Sequence, residues 1–318
     1  MTGTTPTRPR VVIAGGSGFL GAGLIPDLLA AGYDAVVLTR GGGCESHGGR
    51  VRHVTWDART AGDWARELDG AAAVVNLVGR TVDCRKTPAN KRVILESRVN
   101  SVNALAAAWA RVANPPTVWV QSATAHIYGD TGDEVLDDSS PTGTGFAPDV
   151  GRAWEAALAE ATLPGVRRVV LRISFVLGRD GGALKTLARL TRWFMGGPTG
   201  SGRQYMSWLH QADLNAIILR ALADESMSGA YVTTAPGPVT NRAFMRTLRK
   251  VLGRPWSPRV PGPLVRVGAW VMRTDPELAL YGRRLAPTRL LAEGYAFRFP
   301  ELERALRDLL SKGGELGH

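Results

Sequence analysis

The sequence predicts an α/β fold, a Rossmann-type doubly wound parallel sheet with a smaller, partly interleaved C-terminal substrate lobe. Three observations predict it. An apolar strand runs into three spaced glycines and a helical stretch at Arg10–Gly21, RVVIAGGSGFLG. Strand-like and helix-like segments then alternate to about residue 178, as βα units require. Beyond Gly178 the alternation gives way to Gly/Pro-rich chain with short helices.

The first element reads as a binding loop because its context matches on both sides. Val11, Val12 and Ile13 form a buried parallel strand, and Leu20, Leu24, Leu28 and Leu29 give a helical stripe. Between them, Gly15 permits a tight turn, Gly18 lets backbone approach phosphate, and Gly21 lets the helix starting near Phe19 pack closely. Gly15, Gly16, Ser17, Gly18, Phe19, Leu20 and Gly21 are therefore expected to hold a dinucleotide pyrophosphate at a helix N-terminus.

The next strand, Ala35–Leu38, ends at Thr39-Arg40, where NAD-preferring folds carry an acid for the ribose 2′-hydroxyl. A guanidinium there binds a 2′-phosphate through paired charge-assisted bonds, so the expected cofactor is NADP(H). The alternative is an ordinary surface arginine. Gly41, Gly42 and Gly43 leave open space beside Arg40. Asp57 closes the third strand, Val51–Trp56, where it can contact the adenine edge or cap the helix that follows.

Further strands are expected at Ala72–Leu77, Thr117–Gln121 and Val166–Ile173, with helices from Pro88 to Val112 and from about Asp149. Ligands bind at the carboxyl ends of such strands, which nominates Asn76, Leu77, Val78, Gly79, Ser122, Thr124 and Arg172 for the cleft. Short helices follow at Ala183–Phe194, Asp213–Leu222, Arg242–Leu252 and Glu301–Leu310. Residues 1–178 and 212–235 are assigned to the cofactor domain, with 1–9 a disordered tail, and 179–211 and 236–318 to the substrate lobe.

Composition narrows the function classes. With 318 residues and 44% hydrophobic content the chain can bury a large core. The net charge of +11 comes from 34 arginines and five lysines dispersed without a basic tract, so specific nucleic-acid binding is not expected. No signal peptide or membrane span is evident, and the expected location is cytoplasmic. Cys44 and Cys84 are not expected to pair there. Five scattered histidines and no Cys-x-x-Cys predict no metal.

At this point the chain resembles the extended short-chain dehydrogenases/reductases of the NAD-dependent epimerase/dehydratase group. Within them it is similar to the branch called "epimerase family protein", sometimes labelled cell-division-inhibitor-like. The resemblance spans nearly the whole chain. It rests on GGSGFLG with Arg40, NLVGR at Asn76–Arg80, Ser97-Arg98, SATAHIYGD at Ser122–Asp130 and Trp154-Glu155. It continues through LRISFVLGRDGGAL at Leu171–Leu184, GSGRQYMSWLHQAD at Gly200–Asp213, TAPGPVTNRAF at Thr234–Phe244, and the run Pro287–Phe297.

The resemblance implies a Tyr-x-x-x-Lys pair, in which lysine lowers the tyrosine pKa for proton transfer. This chain has none: the residues four positions after its six tyrosines are Val37, Gly132, Leu209, Ala235, Leu285 and Phe299. The tyrosine position falls to Ala147 or Asp149 and the lysine position to Gly151 or Ala153, while Ser97 stands for the relay asparagine. Thr124 matches the family's substrate-binding Ser/Thr, and otherwise makes a strand-end hydrogen bond. Tyr128 lies in the family's YG step, as a proton source or a packed aromatic. His126 and His210 titrate in the right range for proton donors, or are structural.

Arg203 and Gln204 are expected at the pocket or on a surface loop. Sugar epimerases of the family carry a diphosphate-binding arginine where this chain has Met206, beside Tyr205 and Trp208. Methionine cannot pair with phosphate, and Met206 with these two aromatics suggests an apolar or aromatic substrate, or else a hydrophobic wall that touches no ligand; His126, Arg203, Met206 and Trp208 are the expected pocket residues.

Three functions fit these residues. The favoured one is an NADP(H)-dependent oxidoreductase acting on a small, largely apolar carbonyl-like substrate. The others are a catalytically silent NADP(H)-binding sensor and an epimerase or dehydratase with transient hydride transfer. The expected assembly is a monomer or homodimer. The Ala-rich stretch Asn103–Ala110 allows packing between subunits or within one.

Overall fold

Alternation of apolar residues along the strands makes a two-sided sheet, and both sides are covered. The computed structural model describes residues 8–41 and 45–311. Its main strands are β1 (Arg10–Ala14), β2 (Asp34–Thr39), β3 (Glu45–Ser46), β4 (Val51–Thr55), β5 (Ala73–Asn76) and β6 (Val118–Thr124). After the short β7 (Val135–Leu136) come β8 (Arg167–Ile173), β9 (Phe175–Leu177), β10 (Tyr205–Met206), β11 (Trp208–His210) and β12 (Gly229–Thr233). Seven strands run parallel in the order β12-β8-β6-β5-β1-β2-β4, with β3 antiparallel at the edge.

Val11, Ile13, Val37 and Val75 face a core built with α1 (Phe19–Ala30) and a later helix at Gln211–Ala223. Val12, Leu38 and Val74 face the opposite core, with α2 (Pro88–Trp109) and α3 (Phe146–Glu160). The chain leaves β1 toward β2 and β4, then returns to β5 on the other side of β1. That reversal opens a crevice at the carboxyl ends of β1 and β5.

Several boundaries differ from the sequence expectation for identifiable reasons. β6 runs to Thr124 because Ser122, Ala123 and Thr124 continue the ladder with β8 at Leu171, Arg172 and Ile173. α3 begins at Phe146, ahead of Asp149, because Gly145 turns the chain at φ +105 and Pro148 falls in the first turn. There proline has no intrahelical bond to lose.

The remaining elements are α4 (Gly182–Arg192), α5 (Gln211–Ala223), β13 (Val239–Thr240), α6 (Asn241–Val251), α7 (Gly262–Val271), α8 (Glu277–Leu280), β14 (Arg284–Leu285), α9 (Thr288–Ala292) and α10 (Leu302–Leu310). Leu184, Trp208, Phe244, Leu248 and Leu306 form the core of the second lobe, while α5 lies on the main sheet. α7 is absent from the sequence reading, since its pattern is not amphipathic toward the core and only Ala269 is buried.

Not all of residues 236–318 stays in the lobe. β14 pairs with β7, and Leu290, Tyr295 and Phe297 pack in the sheet core. The buried Asp213 carboxylate fastens this return by accepting the N–H groups of Arg298 at 2.7 Å and Phe299 at 3.0 Å.

The Ala-rich stretch divides by helix face. Ala104 and Ala108 are buried against the sheet, while Asn103 and Ala106 line a shallow exposed groove against Ala153 and Ala157 of α3. No helix among the described residues is long and apolar enough to cross a membrane.

A Cβ on Gly21 would sit 2.4 Å from Gly16 Cα and 2.6 Å from its carbonyl oxygen. Gly21→Ala is therefore expected to cost about 2 kcal/mol in urea unfolding. Gly268→Ala on α7, where an added Cβ meets nothing within 4 Å, is expected to be neutral or stabilising. A Gly21→Ala cost below about 0.5 kcal/mol would show that the loop yields freely.

Candidate nucleotide and substrate site

The ends of three strands meet at Gly15. Its N–H donates to Leu38 O at 3.3 Å, its φ is +78, and an added Cβ would lie 3.0 Å from Leu77 C and 3.1 Å from Val78 N. Gly18, the N-cap of α1, donates to Gly15 O at 3.1 Å and offers no side chain over the helix start. Phe19 seals the loop from the second lobe, its ring lying against the backbone of residues 178–182. Ser17 and Thr39 bring their hydroxyls within 3.4 Å, and Thr39 Oγ1 accepts the Gly41 N–H. Arg40 is exposed beside them at the end of β2, while Gly42, Gly43, Cys44 and most of the expected tail lie outside the described residues.

Four residues expected at the ligand are engaged elsewhere. Asn76 is fully buried: its amide donates to Ser101 Oγ and Gln121 Oε1, and its carbonyl accepts the Val78 N–H. It shapes the turn after β5. Arg172 forks onto both Glu155 oxygens at 2.9 Å and donates to the Tyr128 hydroxyl at 2.8 Å. Tyr128 in turn donates to Asp137 O at 2.9 Å, and burial pushes its pKa up. This closed network removes Tyr128 as a proton source and Arg172 as a cofactor ligand. Asp57 accepts the N–H groups of Arg59 and Thr60 and the Thr60 hydroxyl, which lower its pKa to about 2. It caps a turn; the following 3-10 helix starts only at Asp63.

A cavity of about 610 Å³ opens beside the loop after β5. Thr124 and His126, from the end of β6 and the turn after it, line it with Arg98 of α2 and Arg283. The glycine loop is linked to the cavity wall through residues 77–79. Leu77 and Val78 touch Gly15, and Gly79, next in sequence, lies over Arg98, where an added Cβ would be 3.1 Å from Nη2. Ser97 holds the same loop by accepting the Arg80 N–H at 3.0 Å. Ser122 is buried in β6, with its carbonyl accepting the Gln121 amide.

Thr124 Oγ1 accepts the His126 N–H at 3.1 Å. Its hydroxyl proton is left to point elsewhere. Across the cavity, Ala147, Pro148 and Val150 of α3 form an apolar wall, and Gly151 packs straight onto Ile127. No acid–base pair enters from that helix.

Burial holds the His126 pKa well below its ordinary value, and the charges of Arg283, Lys86 and Arg98 reinforce the shift. His210 lies elsewhere, with Nδ1 capping α5 through the Ala212 N–H, its ring stacked on Phe299, and its pKa lowered by burial.

The residues expected to make the pocket apolar lie outside the cavity. Trp208 is fully buried and donates to Gly237 O at 2.9 Å; Met206 pairs with Val239 in a two-stranded ribbon; Arg203 is exposed. Met206, reached by counting back from Asp213, does not line the cavity. The actual wall carries Lys86, Lys91, Arg98 and Arg283. Only Arg98 stood in a quoted motif, and among 34 arginines nothing local distinguished Arg283. Among the described residues no group of three or more His, Cys, Asp or Glu could hold a metal.

A model described as "NAD dependent epimerase/dehydratase family" matches residues 11–232. The chain belongs to this family. A domain of unknown function, DUF1731, matches 260–309. The epimerase family protein SDR39U1 of Bos taurus is 35% identical over 95% of this chain and 100% of its own length. The crystal structure of human SDR39U1 (isoform 2) with NADPH superposes with TM-score 0.85 at 32% identity, over 94% of this chain and 98% of that one. A nucleoside-diphosphate sugar epimerase from Corynebacterium glutamicum gives TM-score 0.77 at 30% identity, over 96% of this chain and 58% of that one.

The two histidines set a pH dependence for this family member. Each binds its proton less readily when folded, so the unfolded chain takes up protons first as pH falls. Their contribution is complete above about pH 6.5 and declines below it, by up to about 1.4 kcal/mol per histidine per pH unit. Urea unfolding between pH 7.5 and 5 should show that decline, with a shallower slope in His126→Asn. A flat profile would contradict the buried neutral imidazoles.

Proposed function

We propose that the chain is an NADPH-dependent oxidoreductase whose substrate occupies the cavity beside Thr124. The observation that carries this reading is that one peptide run, Leu77–Gly79, packs against Gly15 of the glycine loop at one end and against Arg98, which lines the cavity, at the other. The bound NADPH of the human relative supports the cofactor.

The residues present fit that cofactor. Gly15 and Gly21 let the loop close onto the Leu77–Val78 peptide and onto Gly16 where a Cβ would collide, Gly18 leaves the start of α1 uncovered, and the exposed Arg40 follows Thr39, whose hydroxyl is near that of Ser17, so that donors for a 2′-phosphate are grouped at the end of β2. When bound, NADPH supplies a hydride. Thr124 donates a hydrogen bond through its free hydroxyl to the oxygen of a carbonyl and so orients it, while Ala147, Pro148 and Val150 cover it on one side. With Tyr128 closed off, water entering the cavity supplies the one proton that the reduced carbonyl oxygen takes up.

In this reading residues 1–178 and 212–235 hold the cofactor. The return of 284–299 adds to that half, and the rest of the C-terminal region covers the substrate. A sensor without turnover is the second reading, favoured by the apolar α3 wall where an acid–base pair would stand.

Two variants test the assignment. Arg40→Asp should weaken NADPH binding about tenfold or more, about 1.4 kcal/mol, with NADH little changed; equal effects on both would remove Arg40 from the cofactor site. With NADPH and a panel of aromatic ketones, enones and imines, absorbance at the reduced nicotinamide band should fall, and Thr124→Ala should slow it about tenfold. Tight NADPH binding with no consumption would instead support the sensor.

A further inference from the structure

A buried arginine normally has a carboxylate or a full set of carbonyls around it. Arg172 has Glu155, and Arg168, on β8, donates to three carbonyls, those of Leu158, Ala159 and Ala161. Arg98 has neither. Only 9% of its surface is exposed, Nη1 alone makes hydrogen bonds, to Ile94 O and Arg80 O, and Nε is buried with no partner. One face of the guanidinium lies over Trp154, 4.9 Å from the ring centroid, and Nη2, which makes no hydrogen bond, is next to Gly79, where there is no side chain. Burial lowers its pKa to about 10, with no acidic group offsetting the shift, so it stays charged at neutral pH.

Arg98 lines the cavity, and so does the largely buried Arg283, whose Nε donates to Gly129 O. Charged groups of both signs face the same space. Asp275 is spent on Lys86 at 3.2 Å, Asp130 is exposed, accepts the Gly282 N–H and is the carboxylate whose charge acts on Arg283, and Glu277 is exposed. Arg98 is thus the buried cation of the cavity that no carboxylate offsets. Desolvating a guanidinium is costly, and an oxyanion opposite it recovers that cost.

We propose that the cavity takes a carbonyl substrate carrying an oxyanion, a carboxylate or a phosphate, which Arg98 anchors through Nη2 with Arg283 contributing from the other side. This rests on the reading of the cavity as the substrate site. It replaces the apolar substrate expected from Met206 and Trp208, neither of which reaches the cavity wall.

Anion binding to the full chain without NADPH tests it separately from turnover. Benzoate, inorganic phosphate and neutral benzamide are titrated by calorimetry. Benzoate or phosphate should bind at least about tenfold more tightly than benzamide, and whichever anion binds identifies the source. Arg98→Met should abolish that preference. If this variant does not fold, NMR of arginine Nε–H signals in the unaltered chain, with Arg98 assigned from Arg98→Lys, should show the Arg98 resonance moving with benzoate or phosphate and not with benzamide. Equal affinity for all three probes, anion preference retained in Arg98→Met, or an unmoved Arg98 signal would each overturn the proposal. Absent NADPH oxidation would count against the reductase reading alone.

Discussion

The site depends on one close approach, that of the Gly15 turn to the Leu77–Val78 peptide. Backbone meets backbone there, so neither side can yield by changing a rotamer. The contact joins the end of β1 to the end of β5 across the switch point of the sheet, and the same peptide run leads through Gly79 to Arg98 and the cavity. Asn76 and Ser97 make this possible from behind by holding the 76–80 turn through Val78 and Arg80. Their polar groups serve the shape of the turn, and that shape presents the space in front of it.

Buried charge is handled in two ways in this molecule. The Tyr128–Arg172–Glu155 network is closed, each member satisfied by the others and by Asp137, and it ties the turn after β6 to α3 and β8. Arg98 lies across Trp154 on the other side of α3 and is open toward the cavity. A network with no spare donor rigidifies; a donor with no acceptor is available to a ligand. The neutral His126, held so by burial and by the cations around it, belongs with the open group.

Local signals made the sheet and its loop legible in the sequence. Val11–Ile13 alternate between two cores, the glycines are spaced as a turn into a helix requires, and the helix expected from Pro88 is α2. Cavity composition was not legible, because it is assembled from α2, the end of β6, the start of α3 and residues 275–283, which nothing local connects. Met206 and Trp208 misled for the same reason: their types suit an apolar pocket, yet β10 and β11 turn them into the second lobe's core and ribbon. Asn76 and Arg172 were correctly placed at strand ends, but whether a strand-end side chain faces a ligand or a neighbour depends on partners such as Ser101 and Glu155.

The central claim is that the loop built on Gly15, with Arg40 at the end of β2, makes this chain a receptor for NADPH in preference to NADH. Titration calorimetry of the unaltered chain with each nucleotide at low and at raised salt measures it directly. Saturable NADPH binding, tighter than NADH by about tenfold or more and losing part of that margin as salt screens the exposed Arg40, is the predicted result. Equal affinities, tighter NADH, or no saturable binding of either nucleotide would contradict it.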